Sequence, residues 1–291
     1  MIAIDWGTSS LRAFRLRADG TILDRHEAGR GILTVPAGGF ADVLRDVAGA
    51  WIAAGERRVL LSGMVGSRQG WVEAPYLPCP ADPEALAAHL VRVPFDSADV
   101  RLAPGLSDRD ESGVPEVMRG EEVQLLGVGL TDGIACLPGS HSKWARLAGG
   151  RIAGFTTHFS GEAFAAFRGH TILGRMMQAD APPDATAFAR GVARAGQPGG
   201  LLHHLFGVRA LGLHGELGEA EAASYLSGLL IGTEVRAAMP PGAAVTLIGT
   251  PTLCAAYAAA ILACGGTSTL ADPDAAAHGL HLIAEATSWT A

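Results

Sequence analysis

The chain lacks the features that mark several classes of protein. Charged residues make up only 18%, the formal net charge is −7, and lysine and arginine cluster nowhere. Binding a nucleic-acid backbone requires such a basic cluster, so no nucleic-acid partner is expected. No apolar run approaches the length of a membrane span, and strand pattern begins at Ile2, leaving no room for a leader. A cytoplasmic location without a membrane partner is the expectation. The four cysteines, Cys79, Cys136, Cys254 and Cys264, have no CxxC spacing and read as buried thiols. Neither His203-His204 nor His278/His281 has an acidic or cysteine companion, so no metal is expected at either pair.

What is present is apolar residue: 48% of 291 positions, enough for two domains that each bury a core. The organising stretch is Ile2-Ala3-Ile4-Asp5-Trp6-Gly7-Thr8-Ser9-Ser10-Leu11-Arg12-Ala13-Phe14-Arg15-Leu16, two apolar runs around a small hydroxyl-rich turn. It reads as a phosphate-binding hairpin: a carboxylate ends the first run, and the turn offers backbone N–H groups and hydroxyls to an anion beside an Asp-bound cation. Half a chain later Ile134-Ala135-Cys136-Leu137-Pro138-Gly139-Ser140-His141-Ser142-Lys143-Trp144-Ala145 repeats it, with identities at Ile134, Ala135, Gly139, Ser142 and Ala145. The repeat suggests a duplicated domain with a boundary near residue 130.

Periodicity supports the duplication. A third strand from Thr21 toward Ala28, an amphipathic helix over 40–54 and a buried strand at Val59–Leu61 give βββαβ. A glycine-punctuated loop, Ser62 to Trp71, then sits where open α/β sheets place ligands. Residues 72–118 are Pro-rich, with only a short helix near 84–90 and a strand near 100–103 legible. Gly120 and the acids Glu121 and Glu122 mark a helix start. In the second half, strands 133–137, 143–148 and 151–157 give βββ again. Helices 162–167, 184–195, 201–205 and 219–238, strand 245–248, helix 253–263, strand 267–270 and helix 274–286 follow. Ser160 reads as a helix cap.

Two such lobes resemble the sugar kinase, actin and heat-shock ATPase superfamily. That resemblance implies an α/β fold of two duplicated ribonuclease H-like domains of βββαβαβα type, with ATP in an interdomain cleft. The lobes would be 1–130, carrying the first phosphate loop and the acceptor, and 131–291, carrying the second phosphate loop and the adenosine loop. Ile4-Asp5-Trp6-Gly7-Thr8-Ser9, Gly63-Met64-Val65-Gly66-Ser67, Met118-Arg119-Gly120-Glu121-Glu122-Val123-Gln124, Pro138-Gly139-Ser140-His141-Ser142-Lys143-Trp144 and Ser227-Gly228-Leu229-Leu230-Ile231-Gly232 resemble the 2-dehydro-3-deoxygalactonokinase family in particular. The family's reaction is ATP-dependent phosphorylation of 2-dehydro-3-deoxy-D-galactonate to its 6-phosphate.

The resemblance implies Mg²⁺ as cofactor, ATP as co-substrate and a sugar acid as the other partner, with a homodimer left open. Asp5 would hold Mg²⁺, with Gly7, Thr8 and Ser9 on the terminal phosphates. Gly139, Ser140 and His141 would form the second phosphate loop, and Gly249 and Thr250 the adenosine loop. The position matching Asp5 in the second lobe is Leu137, so metal binding from that lobe is not expected. Lys143 either reaches the phosphates or faces solvent. Glu121 or Glu122 would supply the base, with Asp5 as rival. Gly66, Ser67, Arg68 and Arg119 line the acceptor loops, the arginines being the available partners for its carboxylate. Two other readings stay open: a phosphohydrolase of the exopolyphosphatase kind, and a nucleotide-binding regulatory module without catalysis.

Overall fold

In the computed structural model, which describes residues 1–289, the opening stretch is a hairpin of β1 (Ile2–Trp6) and β2 (Leu11–Leu16). The strands pair antiparallel, with Asp5 opposite Arg12. Ile2, Ala3, Ile4, Trp6 and Leu11 are wholly buried, because β1 is covered on both faces and alternation would leave one face wet. β3 (Ile22–Ala28) lies at the sheet edge, and its Leu23-Asp24-Arg25-His26-Glu27 interior is exposed and mostly polar, as an edge strand requires. α1 (Phe40–Ala53) buries Phe40, Val43, Leu44, Ala48 and Ile52 along one stripe, and β4 (Arg58–Ser62) joins β1 in parallel.

The Pro-rich stretch, in which the sequence showed only a helix and a strand, contains β5 (Tyr76–Pro78), α2 (Pro83–Ala87), β6 (Val91–Val93), β7 (Asp99–Leu102), β8 (Gly105–Arg109) and β9 (Pro115–Met118). α2 starts on an Asp82 cap, whose carboxylate accepts from Ala85 N at 2.9 Å, and stops at Ala87, short of the expected 90. β7 and β6 extend the main sheet to the order β3-β2-β1-β4-β7-β6, while β5, β8 and β9 form a separate three-stranded sheet. α3 (Glu121–Gly127) then starts at the expected acids.

The second half runs β10 (Gly133–Leu137), β11 (Ser142–Ala148), β12 (Arg151–His158), α4 (Ser160–His170), α5 (Ala185–Ala195), α6 (Gly200–Leu213), α7 (Glu219–Ala238), β13 (Ala244–Leu247), α8 (Pro251–Ala263), β14 (Thr267–Leu270) and α9 (Ala275–Glu285). Its sheet has the order β12-β11-β10-β13-β14, which matches β3-β2-β1-β4-β7 strand for strand. α4 and α6 are longer than their patterns suggested. Phe159, not Ser160, is the residue before α4, and no side chain caps that end.

By internal contacts the chain divides into two units. The first holds Met1–Gly133, Ala145–Phe155 and the residues from Asp272 onward; the second holds Ile134–Trp144 and Thr156–Ala271. A single cut near residue 130 therefore differs from the division by contacts, chiefly because α9 packs on α3. That crossing is made by two glycines: a Cβ on Gly127 would strike the carbonyl of Ala275, and one on Gly279 the carbonyl of Val123. In the second unit Gly191, Gly228 and Gly232 bring α5 against α7 in the same way. Two glycines of the Ser227–Gly232 motif are thus packing residues.

Gly279→Ala should destabilise the protein by about 1–3 kcal/mol through overpacking at the α3–α9 crossing. Urea unfolding checks this, with Gly169→Ala, whose added Cβ meets nothing within 4 Å, as the control.

Candidate active site

Asp5 is the penultimate residue of β1, a buried strand, where a carboxylate needs both a partner and room. Arg12, opposite it across the hairpin, donates from Nη2 to Oδ2 at 2.6 Å and also reaches the Pro273 carbonyl at 3.4 Å. Room comes from two glycines with left-handed backbone, Gly63 at φ +93° and Gly120 at φ +104°. A Cβ on Gly63 would lie 3.3 Å from Asp5 Oδ1 and 2.8 Å from the Trp6 carbonyl; one on Gly120 would lie 3.1 Å from Gly63 Cα and 3.9 Å from the same Oδ1. Three chain segments therefore converge on one carboxylate oxygen. The hairpin turn beside it is fixed by backbone: Gly7 N donates to Ser10 O at 2.9 Å, and Ile32 N to Gly7 O at 3.0 Å. Gly31 packs so close to Thr8 and Ser9 that no side chain fits there, which leaves Thr8 and Ser9 exposed on the outer side.

The two glutamates turn back over the start of α3. Glu121 Oε2 accepts from Arg119 N at 2.9 Å, and Glu122 Oε2 accepts from Gly120 N at 2.7 Å. Glu122 is wholly buried, and its other oxygen, Oε1, has no hydrogen-bond partner. Burial, reinforced by the neighbouring charge of Glu121, pushes its carboxyl up to about 8.

The structure separates the two candidate arginines. Arg68 is exposed and pairs with Glu73 at 3.1 Å, an ordinary surface ion pair. Arg119 is buried, its guanidinium 4.3 Å above the Tyr76 ring, with Nη2 donating to the Ala74 carbonyl at 2.8 Å. Its Nε and Nη1 have no partner, and Nη1 would lie 3.0 Å from a Cβ on Gly66. Ser62 Oγ, at the end of β4, and Ser67 Oγ, beside Gly66 on the loop that follows, are likewise buried and unpartnered.

In the second unit the Gly139–His141 turn lies against the start of α4. Glu162 N donates to Ser140 O at 3.0 Å, and His141 Nε2 lies 2.6 Å from Glu162 Oε2. Lys143, the chain's only lysine, is buried and donates from Nζ to the His141 carbonyl at 3.1 Å, so it does not face solvent. Gly249, at φ +156°, turns the chain beside Pro138 and into Thr250 and α8.

Sequence reasoning missed a buried acid beneath this turn. Glu234 accepts from Trp144 Nε1 at 2.8 Å, Tyr257 OH at 2.9 Å and Ser142 Oγ at 3.2 Å. It joins β11, α7 and α8, and burial beside Glu234 pushes the Tyr257 hydroxyl far above its ordinary value. Its only sequence signal is one acid inside the apolar run Leu229–Val235. Among the described residues no cluster of three or more metal-ligating side chains is present, and no helix is long and apolar enough to cross a membrane.

The paired sheet orders and the two loops define an α/β protein of the actin-like ATPase and sugar-kinase fold. An activator of 2-hydroxyisocaproyl-CoA dehydratase from Clostridium difficile shares that fold, with TM-score 0.52 and 12% identity over 98% of this chain and 95% of its own. Within that class the family model for 2-keto-3-deoxy-galactonokinase matches residues 5–283, and the chain belongs to that family. The 2-dehydro-3-deoxygalactonokinase of Escherichia coli strain K12 is 34% identical over 98% of this chain and 97% of its own. A crystal structure of a Sinorhizobium meliloti protein provisionally given the same enzyme name superposes with TM-score 0.89 at 37% identity, covering 98% of both chains.

The raised Glu122 carboxyl links stability to pH. The folded protein keeps a proton that the unfolded chain, near 4.5, releases, so this contribution is whole below about 4.5 and declines as pH rises toward about 8. Glu122→Gln should therefore lose less stability than the parent over that interval, measured as the difference in thermal midpoint between the two proteins at each pH.

Proposed function

We propose that this chain transfers the terminal phosphoryl group of ATP to the 6-hydroxyl of 2-dehydro-3-deoxy-D-galactonate. Family membership supports the reaction. The observation that carries the site is the set of buried polar atoms without partners at the end of β4, on the loop after it and about the start of α3: Ser62 Oγ, Ser67 Oγ, Arg119 Nε and Nη1, and Glu122 Oε1. Leaving buried donors unpaired costs about 1–3 kcal/mol each, more when they are charged, so a ligand that answers them is strongly favoured. Nε–H and Nη1–H point to different sides of the guanidinium, so each calls for its own acceptor, which a sugar acid supplies from its carboxylate and a hydroxyl, and Tyr76 fixes the plane in which they lie.

Asp5 suits Mg²⁺, which keeps several waters and takes one or two carboxylate oxygens. Its Oδ1 sits in the Gly63–Gly120 cradle, space that a Cβ would fill. When bound, the ion neutralises charge on the transferring phosphate. Gly7, Thr8 and Ser9 present N–H and hydroxyl donors beside it. Arg12 holds the other oxygen of Asp5 and keeps the carboxylate aimed. For the acceptor proton, Asp5 and Glu121 are better suited than Glu122, which is wholly buried and holds its own proton at neutral pH. In the second unit Gly139, Ser140 and His141 take the nucleotide phosphates and Gly249 and Thr250 the adenosine, with Lys143 bracing the turn from beneath. The phosphohydrolase and regulatory readings draw no support from the relatives.

Purified protein should form ADP only when both the sugar acid and Mg²⁺ are present; folded protein that shows no acid-dependent ADP formation would refute the reading. Arg119→Met should raise KM for the acid by about tenfold or more while leaving KM for ATP nearly unchanged. Asp5→Asn should lower kcat by about a hundredfold or more. Full rate in Asp5→Asn would remove Asp5 from the chemistry.

A further inference from the structure

The two loops that the scheme above gives to the nucleotide in the second unit start from neighbouring strands. β10 and β13 pair in parallel, from Ile134 with Val245 to Cys136 with Leu247, and Ile248 N donates to the Cys136 carbonyl at 2.9 Å. The ladder therefore sets where the chain enters each loop, and a Cβ on Gly249 would lie 3.6 Å from the Pro138 carbonyl oxygen. The exits differ. The Gly139–His141 turn leaves into β11 at Ser142 and stays in the sheet, whereas Gly249 and Thr250 leave into α8, which has no ladder. Cys254, Tyr257, Ala260 and Ile261 hold α8 on the core, but apolar packing is non-directional and leaves the helix free to shift or turn.

Glu234 supplies the missing direction. Its Oε1 accepts from Trp144 Nε1 of β11 at 2.8 Å, and its Oε2 accepts from Tyr257 OH of α8 at 2.9 Å and from Ser142 Oγ of β11 at 3.2 Å. Ser142 Oγ and Tyr257 OH are 2.8 Å apart, so the acid and the two hydroxyls close into a ring, and all four side chains are buried. The acid stands on a fixed support. It follows Gly232 by two residues on α7, where an added Cβ would lie 2.9 Å from Val192 Cα of α5. Hydrogen bonds of this length weaken steeply when donor and acceptor shift or rotate, so the ring ties α8 to β11 in one register.

We propose that Glu234 is a positioning residue for ATP: through Ser142 and Trp144 on one side and Tyr257 on the other, it sets the spacing between the Gly139–His141 turn and the Gly249–Thr250 loop. This rests on the reading of those loops as the phosphate and adenosine subsites of one nucleotide. Two linked groups bind more tightly than either alone only when the spacing of their sites matches the link. Glu234, sunk beneath both loops, acts through them on that match.

The test compares a whole nucleotide with its halves. AMP-PNP binding is measured by calorimetry with Mg²⁺, and adenosine and tripolyphosphate, each in excess, serve as displacers whose affinities follow from the competition. Tyr257→Phe removes the arm to α8 and leaves Trp144 and Ser142 on the acid; Glu234→Leu removes every arm. In both variants AMP-PNP affinity should fall by about fivefold or more while the affinities of adenosine and tripolyphosphate stay close to the parent's. Glu234→Gln, whose amide accepts from Trp144 and donates to the two hydroxyls, should restore AMP-PNP binding. Equal losses for the whole nucleotide and its halves would make Glu234 a packing residue and overturn the proposal. So would AMP-PNP affinity in Tyr257→Phe equal to the parent's, and this variant, which deletes a single oxygen, decides the matter if Glu234→Leu does not fold. Folded parent protein that binds no AMP-PNP, or from which neither half displaces it, instead overturns the two-subsite reading, and the two failures are thereby distinct.

Discussion

A carboxylate at the end of a buried strand is the constraint from which the first unit's site follows. Asp5 is tolerable there because Arg12 answers its charge across the hairpin and because Gly63 and Gly120 leave its other oxygen uncovered. Each glycine then sets what comes after it. Gly63 turns the chain out of β4 into the loop bearing Gly66 and Ser67. Gly120 turns it into α3, so that Glu121 and Glu122 close over the helix start while Arg119 is driven under Tyr76.

The second unit repeats the strand order but relocates the charge. Leu137 stands where Asp5 would be, and the acid of this half is Glu234, sunk beneath the turn and fully answered by three donors. One half holds a carboxylate between two left-handed glycines. The other uses a carboxylate to tie the strand leaving the Gly139–His141 turn to the helix that follows Gly249 and Thr250. A duplicated architecture has in this way acquired two chemically different ends.

Much of this was legible from residue pattern alone, where one period dominated. The hairpin at 2–16, its copy at 134–145, α1 and α7 stand within a residue or two of their expected bounds. α6 resisted because it is apolar nearly all round and its glycines blur any stripe, so only its first turn was read. The three-stranded sheet was missed because its strands are three to five residues long and punctuated by proline and glycine. Among the candidate site residues, the orientation of side chains was not legible. Arg68 and Arg119 look alike in sequence, yet one lies in solvent beside Glu73 and the other is buried with free donors. Glu234 was hidden because a single acid in an apolar helix carries no mark of the three donors, from strand and helix, that surround it.

The crossing of α3 and α9 has a further consequence for the order in which this molecule assembles. α9 follows every residue of the second unit in sequence, yet its glycine-faced contact belongs to the first. Domains emerging from a ribosome tend to fold as units, the earlier one first. Here the earlier unit must wait with one helical face of α3 uncovered until nearly the whole chain has been made. The contact that completes the first unit is long-range in sequence, and such contacts form slowly. The half of the protein synthesised first is the half that becomes whole last.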